Sequence, residues 1–199
     1  MKQEKQKHSI QYMKRFSIFV ATMMMASVMQ AAEKLDLKSI TSGAFSASYV
    51  TGINPIEGTD LYASISSDGK QVVSYSFKTG KQVAVLFDVE AAKAPMKSVE
   101  GYVMSPDGKK MLVFTKSKAV YRRSFKAEYF IYDIARKTIK KLSEGENQQV
   151  ATWSPDSRHI AFVKDNNIFV TDGEKEVQVT KDGKFNEVIN GIPDWVYEE

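Results

Sequence analysis

One short motif recurs three times in this chain and limits what it can fold into. Ile65-Ser-Ser-Asp-Gly-Lys-Gln-Val72 returns as Met104-Ser-Pro-Asp-Gly-Lys-Lys-Met111 and again as Trp153-Ser-Pro-Asp-Ser-Arg-His-Ile160. The aspartates Asp68, Asp107 and Asp156 are 39 and 49 residues apart. In each copy a large apolar residue ends one strand, a Ser-x-Asp-Gly-like turn reverses the chain, and another apolar residue opens the next strand. A repeat of this length, with about four short strands in each unit, is the signature of β-propeller blades.

The rest of the body fits that reading. Residues 71–77, 82–88, 111–115, 129–133, 160–163 and 168–171 are rich in β-branched and aromatic side chains and are bounded by Gly, Asp, Asn or Lys. That is the pattern of strands joined by hairpins. Residues 79–81, 135–137 and 165–167 read as hairpin tips, and no convincing helix follows residue 33. Residues 89–94, stopped by Pro95, read as a weak helix or a loop. The fold class is therefore all-β, a partial propeller of about three to four blades. Closed propellers have about four to eight blades, so the chain is expected to be part of a longer one, with sheet edges left open.

Charge divides the chain sharply. The formal net charge is +4 over 199 residues. All of that surplus lies in residues 1–32, where Lys2, Lys5, Lys7, Lys14 and Arg15 face Glu4 alone. Residues 33–199 hold 23 basic and 23 acidic side chains, so the body lacks the electrostatic footprint of a nucleic-acid binder. Within the leader, a charge-free run follows Arg15 to Val28 and ends near the small residues Ala31 and Ala32. A basic start, a short apolar run and a small-residue end describe a signal peptide over residues 1–32, with Met13 as an alternative start. The run is shorter than the roughly 20 residues of a spanning helix, which makes a retained anchor the lesser reading. With no cysteine, export points to a bacterial periplasm or to secretion.

Chemistry is sparse. His8 lies in the leader and His159 in the third repeated turn. No Gly-x-Ser-x-Gly elbow, metal-spaced ligand cluster or Gly-rich phosphate loop occurs, so no cofactor is expected and the 199 residues alone are expected to be catalytically inactive. Recurrence of the repeated aspartates in every unit favours a turn-forming role over a catalytic one. Two stretches remain. Ile192-Pro-Asp-Trp-Val-Tyr-Glu-Glu199 places paired carboxylates beside aromatics, suited to a cation or to a solvated strand end. Tyr121-Arg-Arg-Ser-Phe125 could donate to a carbonyl or carboxylate, or could be a solvated face.

Both stretches resemble segments of the dipeptidyl peptidase IV branch of the prolyl oligopeptidase family. Asn190-Gly-Ile-Pro-Asp-Trp-Val-Tyr-Glu-Glu199 is similar to the segment crossing the active-site opening of that family's eight-bladed propeller. The resemblance implies that Glu198 and Glu199 hold the free α-ammonium of a peptide. Tyr121-Arg-Arg-Ser-Phe-Lys-Ala-Glu-Tyr-Phe-Ile-Tyr-Asp133 resembles the aromatic-Arg segment leading into a Tyr-x-Ile-Tyr-Asp strand. Aligned on Ile131-Tyr-Asp133, it implies that Arg122 contacts the substrate's backbone carbonyl; a shift of one residue would exchange Arg122 for Arg123. Residues 150–155 and 166–170 also match family blade sequence.

The likeness covers roughly residues 35–199. The family's serine, aspartate and histidine belong to a C-terminal α/β-hydrolase domain that is not among these residues. The resemblance implies the substrate-recognition part of an exported serine dipeptidyl peptidase that removes N-terminal X-Pro or X-Ala dipeptides. Its partners would be peptides with a free N-terminus, no nucleic acid, and a second copy, the family being usually homodimeric. A non-catalytic propeller binding module is the alternative.

Overall fold

The computed structural model describes residues 36–46, 52–145, 147–193 and Val196. The expected leader at 1–32 lies outside them. The chain divides into two units, residues 1–49 and 50–199. In the first, α1 spans Leu37–Thr41, a five-residue helix that the sequence reading did not anticipate. Its signal is local: Asp36 caps it, accepting from Ser39 N at 2.6 Å, while the Ser39 hydroxyl accepts from Asp36 N at 3.2 Å.

Twelve strands are described in the second unit, in three antiparallel four-stranded meanders. The first holds β1 (Asn54–Pro55), β2 (Leu61–Ile65), β3 (Gln71–Ser76) and β4 (Gln82–Asp88). The middle sheet holds β5 (Gly101–Met104), β6 (Lys110–Ala119), β7 (Phe125–Asp133) and β8 (Thr138–Lys141). The third holds β9 (Gln149–Trp153), β10 (Ile160–Lys164), β11 (Asn167–Thr171) and β12 (Glu176–Gln178). These are propeller blades, as the repeat predicts.

The repeat and the blade are out of step in the first sheet. The motif turn joins the first and second strands in the middle and third sheets, but the second and third strands, β2 and β3, in the first. The extra strand there is the two-residue β1, paired with β2 at Asn54↔Ala63 and Pro55↔Tyr62. The stretch after β4 forms turns rather than a helix. Asp88 Oδ1 caps the amides of Glu90 and Ala91 at 2.8 Å each, and Pro95 follows.

The three motif turns are built from the same bonds. Asp68, Asp107 and Asp156 each accept from the serine two residues earlier, at 2.6, 2.7 and 2.6 Å. Each also accepts the amide two residues later, at 3.0, 3.1 and 3.0 Å. The serine oxygen in turn accepts the amide five residues on, 2.9 Å away in all three. The fourth position must adopt a left-handed backbone: Gly69 and Gly108 sit at φ 71° and 69°, and Ser157 at 60°. His159 is exposed in the third turn.

Packing explains why the strands of the middle sheet are apolar without alternation. Met111, Val113, Phe130 and Tyr132 face the first sheet, against Val72 and Phe87. Leu112, Ala127, Tyr129 and Ile131 face the third, against Trp153, Ile160 and Phe162. A strand buried on both faces needs no polar side. Phe87 and Tyr132 meet edge-on across the first gap, with centroids 4.8 Å apart. Across the second gap, Trp153 Nε1 donates to Val103 O at 3.1 Å and Asp107 N donates to the Ser157 hydroxyl at 3.0 Å. The outward faces are less covered: Val83 and Val85 on β4 and Val150 on β9 are exposed.

Candidate functional site

The middle blade carries an arm. β5 pairs with β6 only as far as Phe114, and β8 pairs with β7 only from Phe130 onward. Beyond those points β6 and β7 continue as a ribbon through Thr115↔Glu128, Lys118↔Lys126 and Ala119↔Phe125, tied on its β7 side by Ala127, which exchanges backbone hydrogen bonds with Gln148 at 2.9 and 3.0 Å. Val120 N closes the loop on Ser124 O at 2.9 Å, which leaves Arg122 and Arg123 exposed at the tip. Among the described residues, Arg122 has no ion-pair partner.

Both faces of the arm's base are supported. On one, the Phe114 ring packs at a tilt against Phe125 and Tyr129, with centroids 5.1 Å away in each case. The ring lies over Gly101, where a Cβ would come within 2.1 Å of it, so this strand position must lack a side chain. Burial among these rings pushes the Tyr129 phenol up to about 12. On the other face, Lys116 Nζ pairs with the Glu128 carboxylate at 3.1 Å. Residues 116–126 hold five basic and no acidic side chains. Lys118 and Lys126, directly opposite each other, add like-charge repulsion that favours an anionic or carbonyl-rich neighbour.

A second segment arrives beside this loop. After β12 the chain folds back across the tight turn between β10 and β11, where Asp165 and Asn166 both have positive φ (51° and 59°). Asn167 Oδ1 accepts from Gly183 N at 2.9 Å, and Asn166 O accepts from Asn190 N at 3.0 Å. Gly183 and Gly191 allow the close approach. A Cβ on Gly183 would lie 2.4 Å from Asn166 O, and one on Gly191 2.7 Å from a Val163 methyl carbon. This path delivers Ile192 and Pro193 to a cleft of about 60 Å³ that they share with Val120, Tyr121, Ser124 and Lys126.

Two stretches about 70 residues apart in sequence thus meet at one point, a juxtaposition that a folded blade makes possible. Of the three sequence-derived site residues, Arg122 stands on this loop; Glu198 and Glu199 lie outside the described residues, as do Asp194, Trp195 and Tyr197. The sequence reading missed Lys126, Gly101 and Glu100, which form or support the arm. Gly101 and Glu100 belong to no motif, and Lys126 lies in the 121–133 stretch without a role assigned to it; the sequence signal for the arm was the lysine-rich spacing between two strong strand cores.

Fold and arm together define a piece of a β-propeller with a hairpin projecting beside a cleft. The model of the dipeptidyl peptidase IV N-terminal region matches residues 105–199. The crystal structure of Porphyromonas gingivalis dipeptidyl peptidase 4 superposes on 84% of this chain, with a TM-score of 0.76 and 41% identity, over 25% of its own length. The probable dipeptidyl-aminopeptidase B of Podospora anserina is 47% identical over 100 residues, 48% of this chain and 11% of that protein. Human prolyl endopeptidase FAP is 35% identical over 171 residues, 83% of this chain and 21% of that protein. The chain belongs to the dipeptidyl peptidase IV family and corresponds to its N-terminal propeller region. It spans a quarter or less of the relatives just described.

Proposed function

We propose that these residues form the substrate-recognition part of an exported serine dipeptidyl peptidase that removes N-terminal X-Pro or X-Ala dipeptides. The observation that carries this reading is the meeting of the Arg122 loop with Ile192 and Pro193, the residues leading into the acidic segment. Arg122 is exposed and supplies a planar donor for a peptide carbonyl. Glu198 and Glu199 follow Pro193 by five and six residues and supply paired carboxylates for an α-ammonium. A charge clamp beside a carbonyl donor measures a fixed distance from the peptide's N-terminus. That combination of groups suits dipeptide release rather than internal cleavage. The serine, its base and the pocket for the residue before the scissile bond would come from the family's hydrolase domain. The basic leader and its apolar run support export, to the periplasm or outside the cell, and the family's habit supports a homodimer.

The test is steady-state kinetics of the complete protein on a Gly-Pro amide and its N-acetylated form. The acetylated substrate should be cleaved poorly. Glu198→Gln and Arg122→Ala should each raise KM by about tenfold or more, the weight of a charge-assisted hydrogen bond of about 1.5–3 kcal/mol, with kcat little changed. Equal cleavage of the acetylated peptide would replace this reading with an endopeptidase. No cleavage of either substrate would leave a binding module.

A further inference from the structure

The direction of the arm is set by a defect in β6. Between the pairs Thr115↔Glu128 and Lys118↔Lys126, β6 takes in one residue more than β7. Lys116 adopts φ 53° there, so the ladder is interrupted and the strand bends and twists. The amides of Lys116 and Ser117 both turn to one side chain, Glu100. Its Oε1 accepts from Lys116 N at 2.8 Å and its Oε2 from Ser117 N at 2.9 Å, while the Ser117 hydroxyl also donates to Oε2. Glu100 is itself held by the backbone, its N–H donating to Phe114 O at 2.9 Å just ahead of β5. One carboxylate therefore bridges the start of the middle blade and the bulge in the strand that carries the arm.

Stability alone does not account for this arrangement. Glu100 is exposed, so water would satisfy both amides if the carboxylate were removed. What water cannot supply is direction: Gln148 ties the β7 side at Ala127, but water in place of the carboxylate leaves the β6 side, with its bulge, free to flex. Burial alone would raise the Glu100 carboxyl, but the hydrogen bonds from Ser117 and Lys116 outweigh it and hold the group below its ordinary range, charged and gripping.

We propose that Glu100 is a positioning residue for substrate recognition: its carboxylate locks the β6 bulge and so aims the Arg122 loop at the cleft without touching the peptide. The proposal rests on the reading of Arg122 given above. In the complete protein, Glu100→Ala should raise KM for a Gly-Pro amide about fivefold to tenfold and leave kcat within about twofold, because only binding through Arg122 is loosened. Glu100→Gln, which keeps one acceptor oxygen, should fall between Glu100→Ala and the unaltered protein. In an Arg122→Ala background, Glu100→Ala should add nothing further, since the group it aims is gone.

Brief trypsin treatment supplies a readout independent of activity. The Arg122–Arg123 bond should be cut several times faster in Glu100→Ala, while the melting temperature falls by only a few degrees and a variant destabilised to the same degree elsewhere shows no such increase. Additive KM effects in the double variant, or an unchanged KM in Glu100→Ala while Arg122→Ala raises it, would overturn the positioning role and leave the function of Arg122 standing. An Arg122→Ala variant with unchanged KM would instead overturn the reading of Arg122, and the recognition role of Glu100 with it. Unchanged trypsin cleavage would overturn the lock on the bulge.

Discussion

Val150 is a β-branched residue at φ 48°, a conformation that crowds its Cβ against the following carbonyl. It sits where β9 carries one residue more than β10 between Ala161 and Val163, and it is 49% exposed, so packing offsets little of the strain. Val150→Asn should raise the free energy of unfolding by about 1 kcal/mol in urea titration, since Asn tolerates left-handed backbone. A fall in stability would show that the exposed methyl groups pack better than their exposure indicates. Ser157 has the opposite economy. It occupies the left-handed position that glycine fills in the other two turns, yet its hydroxyl accepts the Asp107 amide of the neighbouring blade. The sequence shows a broken Gly pattern at this residue; the reason for it is across the blade interface.

At the scale of elements, the motif turns were readable because every bond in them is local. Serine, aspartate and glycine at fixed offsets leave the chain little choice. The hairpin of β6 and β7 was only half readable. Its apolar core at 111–115 and 129–133 declares itself, whereas the strand pattern lapses between them, where Lys116, Lys118 and Lys126 continue the ribbon. The short strands β8 and β12 carry lysine or glutamate with a single apolar residue each and are strands because an edge accepts them. Gly101 joins the two levels. Gly101→Ala should displace the Phe114 ring and with it Phe125 at the arm's base, costing about 1–3 kcal/mol in thermal unfolding. A neutral effect would mean that the ring moves aside freely.

For the whole molecule, the three turns share one electrostatic design. Hydrogen bonds from Ser66, Ser105 and Ser154, then from the amides of Lys70, Lys109 and Arg158, hold the carboxyls of Asp68, Asp107 and Asp156 below the ordinary aspartate range. A depressed folded value means that the charged form is favoured in the folded state. The stability it brings is fully present above the unfolded value of about 3.9 and is lost as pH falls through the lower folded value. The melting temperature should therefore be nearly flat from about pH 7 to 5 and should drop below about pH 4. Changing all three aspartates to Asn should lower the plateau and flatten the acid limb. An unchanged acid limb would show that other carboxylates govern it. The blades also share their core, since both faces of the middle sheet are buried and each neighbour borrows one of them.

By itself the sequence determined the repeat, the turn chemistry, the neutral body and the apolar cores of the strands, because these depend on neighbours a few residues apart. It also carried the family likeness in two short segments, and with it Arg122, Glu198 and Glu199. Only the tertiary structure decided that the first repeat sits one strand out of step and that the Arg122 loop stands beside Ile192 and Pro193. The same is true of the Glu100 grip on the bulge of β6. Contacts of that kind join residues 16 to about 70 positions apart, and no local pattern records which of many exposed polar side chains the fold will bring together.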